Sequence, residues 1–199
     1  SSVRRTLGLP AQARMILYVG GIAPHKNLMG LLKGFTAALA NPALDDVHLI
    51  FVGDPEGDGF HSNTAQLLAA VAADSRLGQR VHFTGFVSDS DLVTLYSDAM
   101  VVAMPAFSEG FGLPAAEAMA CRTPVIASRG GAVEEITGPA GLFFDPYSVD
   151  EIAAAITTVA SDEAALTELR SHCLPRAAEM SWPKAAAAML DVLERVARR

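Results

Sequence analysis

The stretch SEGFGLPAAEAMA, Ser108 to Ala120, sets two carboxylates, Glu109 and Glu117, on either side of Gly110, Phe111, Gly112 and Leu113, with Pro114 next in line. Proline suits the first turn of a helix, so Gly112 and Leu113 fall where backbone N–H groups have no intrahelical partner. Free amides at the positive end of a helix dipole make an anion site, with phosphate a common occupant. Glycines let such a ligand approach the backbone closely. Carboxylates do not seek phosphate, but they accept hydrogen bonds from hydroxyl groups. The pattern therefore fits a diphosphate flanked by two hydroxyl-bearing groups. Glu117, expected in the first helical turn, would hold the vicinal hydroxyls of a ribose, and Glu109 would face a sugar at the other end. A plainer reading fits too: Glu117 complements the helix dipole and Glu109 is a solvated loop residue.

A second loop supplies counter-charge. GGIAPHKN runs from Gly20 to Asn27, and its Lys26 stands at a predicted helix start, where it can reach phosphate oxygens as a point charge. His25 beside it is either a surface loop histidine or a catalytic one. Two other patterns carry less. Asp89-Ser90-Asp91 has a metal-binding look, yet in VSDSDLVTLYSDA it reads as the cap and acidic first turn of a helix, with Ser88 or Ser90 as the cap. GDPEGDG at 53–59 lacks the remaining acidic ligands of a calcium loop and reads as a surface turn.

The elements that must position these loops follow from the apolar pattern. Short apolar runs at 14–20, 47–53, 81–86, 99–104, 124–128 and 141–144 alternate with helical spacing at about 27–40, 62–73, 89–97 and 114–121. Near-continuous apolar strands alternating with helices predict an α/β fold, a Rossmann-like doubly wound parallel sheet of about six strands. Helices alone are expected beyond residue 148, over about 148–160, 162–179 and 183–197, with Ser181 capping the last. Both chemical loops then follow strands, at the carboxyl edge where such sheets bind ligands.

Composition narrows the function. Half of the 199 residues are hydrophobic, 19% are charged, and the net charge is −7. A buried core is favoured, and a nucleic-acid surface, which needs clustered Lys and Arg, is not. Cys121 and Cys173 are far apart and read as two reduced thiols, with no metal-ligand spacing. No apolar run is long enough to span a membrane, and no signal peptide is visible. The chain starts Ser-Ser-Val, which raises the expectation of a piece cut from a larger protein.

These motifs resemble the C-terminal, donor-binding half of a family-4 (group 1) retaining glycosyltransferase of GT-B fold. ILYVGGIAPHKNLMGLLKGF (16–35) is similar to that family's first strand, phosphate loop and helix. VHFTGFVSDSDLVTLYSDAMVVAMPAFSEGFGLPAAEAMACRTPVIAS (81–128) is similar to its nucleotide-sugar region, and GGAVEEITGPAGLFFDP (130–146) to the stretch that follows. The resemblance implies a hexosyltransferase that uses a nucleoside diphosphate sugar as donor, with retention, and with neither metal nor other cofactor. It assigns the donor diphosphate to Lys26 and to the amides of Gly112 and Leu113, within donor loops that include Gly20, Gly21, His25, Gly110 and Phe111. The base would border the backbone at Gly85, Phe86 and Val87. Glu109 would hold the transferred sugar and share the catalytic role with Lys26, and Glu117 would hold the ribose.

The same resemblance divides the chain into a linker at 1–13 from a missing N-terminal acceptor domain, a nucleotide-sugar domain at 14–180, and a helix at 181–199 that packs on the missing domain. It implies that the fragment alone is inactive. It allows peripheral membrane association of the whole enzyme, self-association of the fragment through Ala185, Leu190, Val192 and Leu193, and a cytoplasmic location at the inner membrane face. Polysaccharide synthesis in a bacterium is the expected setting. Two departures stand out: Gly21 replaces an arginine common in the family, and His25 replaces another. Alternatives are a stand-alone nucleotide-sugar-binding subunit of a two-protein transferase and a sugar-nucleotide epimerase of the same fold. An oxidoreductase is disfavoured, because no G-x-G-x-x-G follows the first strand.

Overall fold

Six apolar segments pair into one parallel sheet in the computed structural model, which describes residues 2–53 and 63–198. The turn expected at 53–59 lies, beyond Gly53, outside the described residues. The strands are β1 (Arg14–Val19), β2 (Val47–Val52), β3 (Val81–Phe83), β4 (Val101–Met104), β5 (Val125–Ser128) and β6 (Gly141–Phe144). Their order is β3-β2-β1-β4-β5-β6, so the chain winds outward from β1, returns to β4 and winds out the other way. That reversal opens a crevice between the carboxyl ends of β1 and β4. Register is continuous across the centre, with Ile16 beside Val101 and Leu49.

Side chains alternate between the two faces of the sheet. Ile16, Tyr18, Leu49 and Phe51 pack in one core with α2 (Leu28–Ala38), α3 (Thr64–Ala73) and α8 (Val149–Ser161). Met15, Leu17, Ile50 and Val102 pack in the other with α5 (Asp89–Asp98), α6 (Leu113–Ala120) and α9 (Glu163–Glu179). Helix starts follow side-chain caps: Ser88 accepts from the Asp91 amide, Ser148 from Glu151 and Ser181 from Lys184. Asp89 and Asp91 are thus the acidic first turn of α5.

The segment expected as a linker carries a short helix, α1 (Ser2–Thr6). Val3 is buried, and the Arg4 guanidinium donates to the carbonyls of Pro10, Ala11 and Ala13, which ties the turn to the sheet. Two shorter helices, α4 (Ser75–Gly78) and α7 (Ala132–Thr137), complete the domain. The last helix, α10 (Trp182–Ala197), buries none of its residues; Trp182, Met189, Leu193 and Val196 recur at spacings of seven, four and three along one exposed face. No helix among the described residues is long and apolar enough to cross a membrane.

One buried polar contact has a measurable consequence. His48 on β2 and His82 on β3 share a hydrogen bond of 3.0 Å between Nδ1 and Nε2. Burial, followed by His82, Arg80 and Arg4 nearby, lowers His48 from 6.5 to about 4 against a small opposing pull from Asp46, and burial also lowers His82. With the folded value below the unfolded one, the unfolded chain takes up protons first. Stability is complete above about pH 6.5 and falls as pH drops toward 4. Urea unfolding is expected to show about 1–2 kcal/mol less stability from this site at about pH 5 than at neutrality. The His48→Gln variant should show a correspondingly shallower loss; an identical slope in both proteins would remove the histidine pair as the cause.

Candidate functional site

The site is built where the β1 and β4 loops meet. After β1 the chain passes Gly20 and Gly21, forms a 3₁₀ turn at Pro24–Lys26, and enters α2 through Asn27 in the left-handed region at φ 55°. After β4 it runs through Pro105 to Gly112, which caps α6 at φ 89°. The Phe107 amide donates to the His25 carbonyl at 2.8 Å. Asn27 is buried, and its side-chain amide donates to the carbonyls of Pro105 (3.1 Å) and Pro146 (2.8 Å). One side chain thus fastens the loops after β1, β4 and β6 together.

Lys26 and Glu109 face each other across this junction at 2.7 Å, with side chains only 23% and 15% exposed. A partly dry ion pair of this kind keeps both side chains oriented, and either can exchange its partner for a ligand group without entering the apolar interior. Tyr18 lies beneath, donating its hydroxyl to the Gly21 carbonyl at 2.7 Å. Burial first and the Glu109 charge second push its ionisation upward, so it remains a neutral donor.

Glu117 stands in the second turn of α6, not the first, because the helix begins at Leu113. Its carboxylate is exposed on one side and accepts from the Tyr96 hydroxyl at 2.8 Å on the other. Burial, then the hydrogen bond to Glu117, raises the Tyr96 ionisation, and this phenol also stays protonated. Gly112 is needed twice over: its φ is positive, and a Cβ there would lie 2.9 Å from Val133 of α7. Leu113 and Phe111 are about half exposed, at 54% and 44%, which leaves the amide end of α6 open. Gly110 and His25 are also exposed.

The third margin lies beyond β2 and β3. Gly85 stands at φ 66° and pairs with Gly53 in an isolated antiparallel bridge. Gly53 holds φ 151°, and a Cβ there would overlap the Gly20 carbonyl, so the β1 loop can lie against the end of β2 only over a glycine. β3 ends at Phe83, earlier than the predicted 86, so Gly85, Phe86 and Val87 form a loop. Phe86 is 89% exposed, whereas Val87 packs on the core.

Lys26, His25, Gly20, Gly21, Glu109, Gly110, Phe111 and Gly112 thus lie on two loops at the switch point, with Leu113 and Glu117 on α6 directly after them and Gly85–Val87 on the flank. The sequence pattern did not reveal Asn27, Tyr18, Tyr96 or Gly53. Only Gly53 carried a signal, a glycine directly after an apolar strand run.

A family model for group 1 glycosyl transferases matches residues 2–180. The chain belongs to the group 1 glycosyltransferases. It is 32% identical over 192 residues to the D-inositol 3-phosphate glycosyltransferase of Rhodococcus opacus (strain B4), covering 96% of this chain and 43% of that protein. It is 34% identical over 166 residues to the O-antigen chain mannosyltransferase B of Escherichia coli, covering 83% and 42%. The chain therefore spans less than half the length of these curated relatives. Among solved structures it resembles the sucrose-phosphate synthase of Thermosynechococcus elongatus, with TM-score 0.80 and 31% identity over 98% of this chain and 48% of that one. It also resembles Anabaena HepE in complex with UDP and glucose, with TM-score 0.79 and 26% identity over 98% and 52%. The six-stranded sheet of this group 1 domain is the Rossmann-like unit of the GT-B fold.

The Asn27 clamp sets the geometry of the whole junction. Replacing Asn27 with Ala leaves two carbonyls without donors and a left-handed residue without its tolerant side chain, at a cost of about 2–4 kcal/mol. Chemical denaturation should register that loss; a change below about 0.5 kcal/mol would mean the clamp is idle.

Proposed function

We propose that this chain is the donor-binding domain of a retaining hexosyltransferase, and that the junction of the β1 and β4 loops holds a nucleoside diphosphate sugar. The observation that carries the reading is the Lys26–Glu109 pair, set beside the open amide end of α6 with Glu117 one turn further on. The amides of Gly112 and Leu113 receive the diphosphate, and Lys26 turns from Glu109 to its oxygens. Glu109, released, accepts from the hydroxyls of the sugar. Glu117, oriented by Tyr96, accepts from the ribose hydroxyls, and the base lies against Gly85, Phe86 and Val87. HepE, solved in complex with UDP and glucose on the same fold, supports a nucleotide sugar as the ligand.

In the transfer, the bond between the anomeric carbon and the diphosphate oxygen breaks, and an acceptor hydroxyl oxygen bonds to that carbon on the same face. The acceptor proton is released, and the departing diphosphate carries the electron pair. Lys26 and the α6 amides stabilise the charge that grows on the leaving oxygen. Acceptor positioning falls to a separate N-terminal half, in keeping with the chain's 43% share of its relative, and the exposed face of α10 is where that half packs. The 199 residues alone then bind donor without turnover. They associate at high concentration through α10, and Met189→Glu with Leu193→Glu should return them to monomers in analytical ultracentrifugation.

Calorimetric titration with UDP-, GDP-, ADP- and dTDP-sugars tests the donor site. One nucleotide class should bind, with affinity reduced about tenfold or more in Lys26→Ala and in Glu117→Ala, and less in Tyr96→Phe. Binding of all four classes unaffected by these substitutions would refute the assignment.

A further inference from the structure

A second cavity lies at the opposite end of the sheet from the donor loops. It has a volume of about 570 Å³ and is lined by Arg122, Arg170, Cys121, Ser97 and Thr123 among others. Ala99 in its wall precedes β4 and Thr123 precedes β5, so the cavity sits at the amino ends of these strands. Its size falls within the range of small-molecule sites.

Its charge is one-sided. Arg122 is exposed and stands at φ 64°, the left-handed region, which a bulky side chain seldom adopts. Among the described residues the Arg170 guanidinium pairs with Glu163 at 3.8 Å, a carboxylate whose side chain is 81% exposed. Two guanidinium forks on one cavity, with no carboxylate among the lining residues, form the donor set that oxyanions take bidentately. The remaining polar groups are satisfied within the fold. The Thr123 hydroxyl donates to the Tyr96 carbonyl at 2.6 Å, and the Ser97 hydroxyl donates to the Val93 carbonyl. Cys121 closes α6 as its C-cap, and its thiol is half-buried at the cavity wall.

We propose that this cavity is a binding site for a small oxyanion of the phosphate or phosphate-ester class, held by Arg122 and Arg170 and separate from the donor site. It rests on the cavity and its two arginines alone, so it stands or falls independently of the donor reading.

Cys121 provides the probe. Cys173 is fully buried, and burial raises its thiol to about 11, so a thiol reagent applied to the folded chain reads Cys121. Labelling by the dianionic 5,5′-dithiobis(2-nitrobenzoate) is compared with labelling by the neutral 4,4′-dithiodipyridine, and the site is confirmed by peptide mass spectrometry. At low ionic strength the dianionic reagent should gain about tenfold over the neutral one, relative to the same ratio for free cysteine. Inorganic phosphate should slow the dianionic reagent more than chloride of equal ionic strength does. Both effects should vanish in the double variant Arg122→Asn, Arg170→Gln, in which asparagine tolerates the left-handed backbone. Unchanged circular dichroism and melting temperature would show that the variant is folded. The same charge preference or phosphate effect in the double variant, or the absence of either from the wild-type chain, would overturn the proposal. Lys26→Ala serves as the control: it should leave both effects intact, and their loss there would assign the phosphate to the donor loops instead.

Discussion

Everything at the carboxyl edge of the sheet depends on one buried amide. Three loops meet there, after β1, β4 and β6, and each brings backbone carbonyls that would otherwise lack donors. Asn27 donates to two of them, Pro105 and Pro146, while its own backbone opens α2. Buried carbonyls without partners are costly, so the amide both stabilises the junction and fixes its geometry. Gly30, one turn along α2, contributes by what it lacks: a Cβ there would overlap the Asn27 amide. The bond from the Phe107 amide to the His25 carbonyl then places Lys26 opposite Glu109.

Paired opposite charges at the mouth of an open crevice suit a ligand that carries both phosphates and hydroxyls. In its absence the two groups satisfy one another, and neither leaves an unpaired charge on a partly buried surface. A diphosphate offers Lys26 a stronger partner, and the sugar hydroxyls offer one to Glu109. Tyr18 and Tyr96 remain protonated beneath these carboxylates and serve as fixed donors to their surroundings. The cavity near Arg122 is organised differently, with two arginines and no carboxylate among its lining residues, and it lies at the far end of α6.

Much of the fold was legible because β1, β2, β4 and β5 are covered on both faces and read as unbroken apolar runs, while serines at 88, 148 and 181 mark helix starts. β3 was overestimated, because an apolar Phe86 prolongs the run although it projects into solvent. Glu109, Glu117, Lys26 and Gly112 were legible because they cluster within two short loops. Asn27 was not, since an asparagine before a helix has the look of a local cap, and its partners lie 78 and 119 residues away. Tyr96 and Glu117 are 21 residues apart on different helices, and Gly53 matters only through its contact with Gly20. Such contacts come from strand order, which local periodicity does not encode.

The most direct test of the account is a crystal structure of the chain soaked with the nucleotide sugar that binds in solution. The account predicts the diphosphate against the amides of Gly112 and Leu113, Lys26 turned from Glu109 to a phosphate oxygen, and ribose hydroxyls on Glu117. A nucleotide bound elsewhere, or one bound with the Lys26–Glu109 pair intact and its phosphates remote from α6, would contradict it.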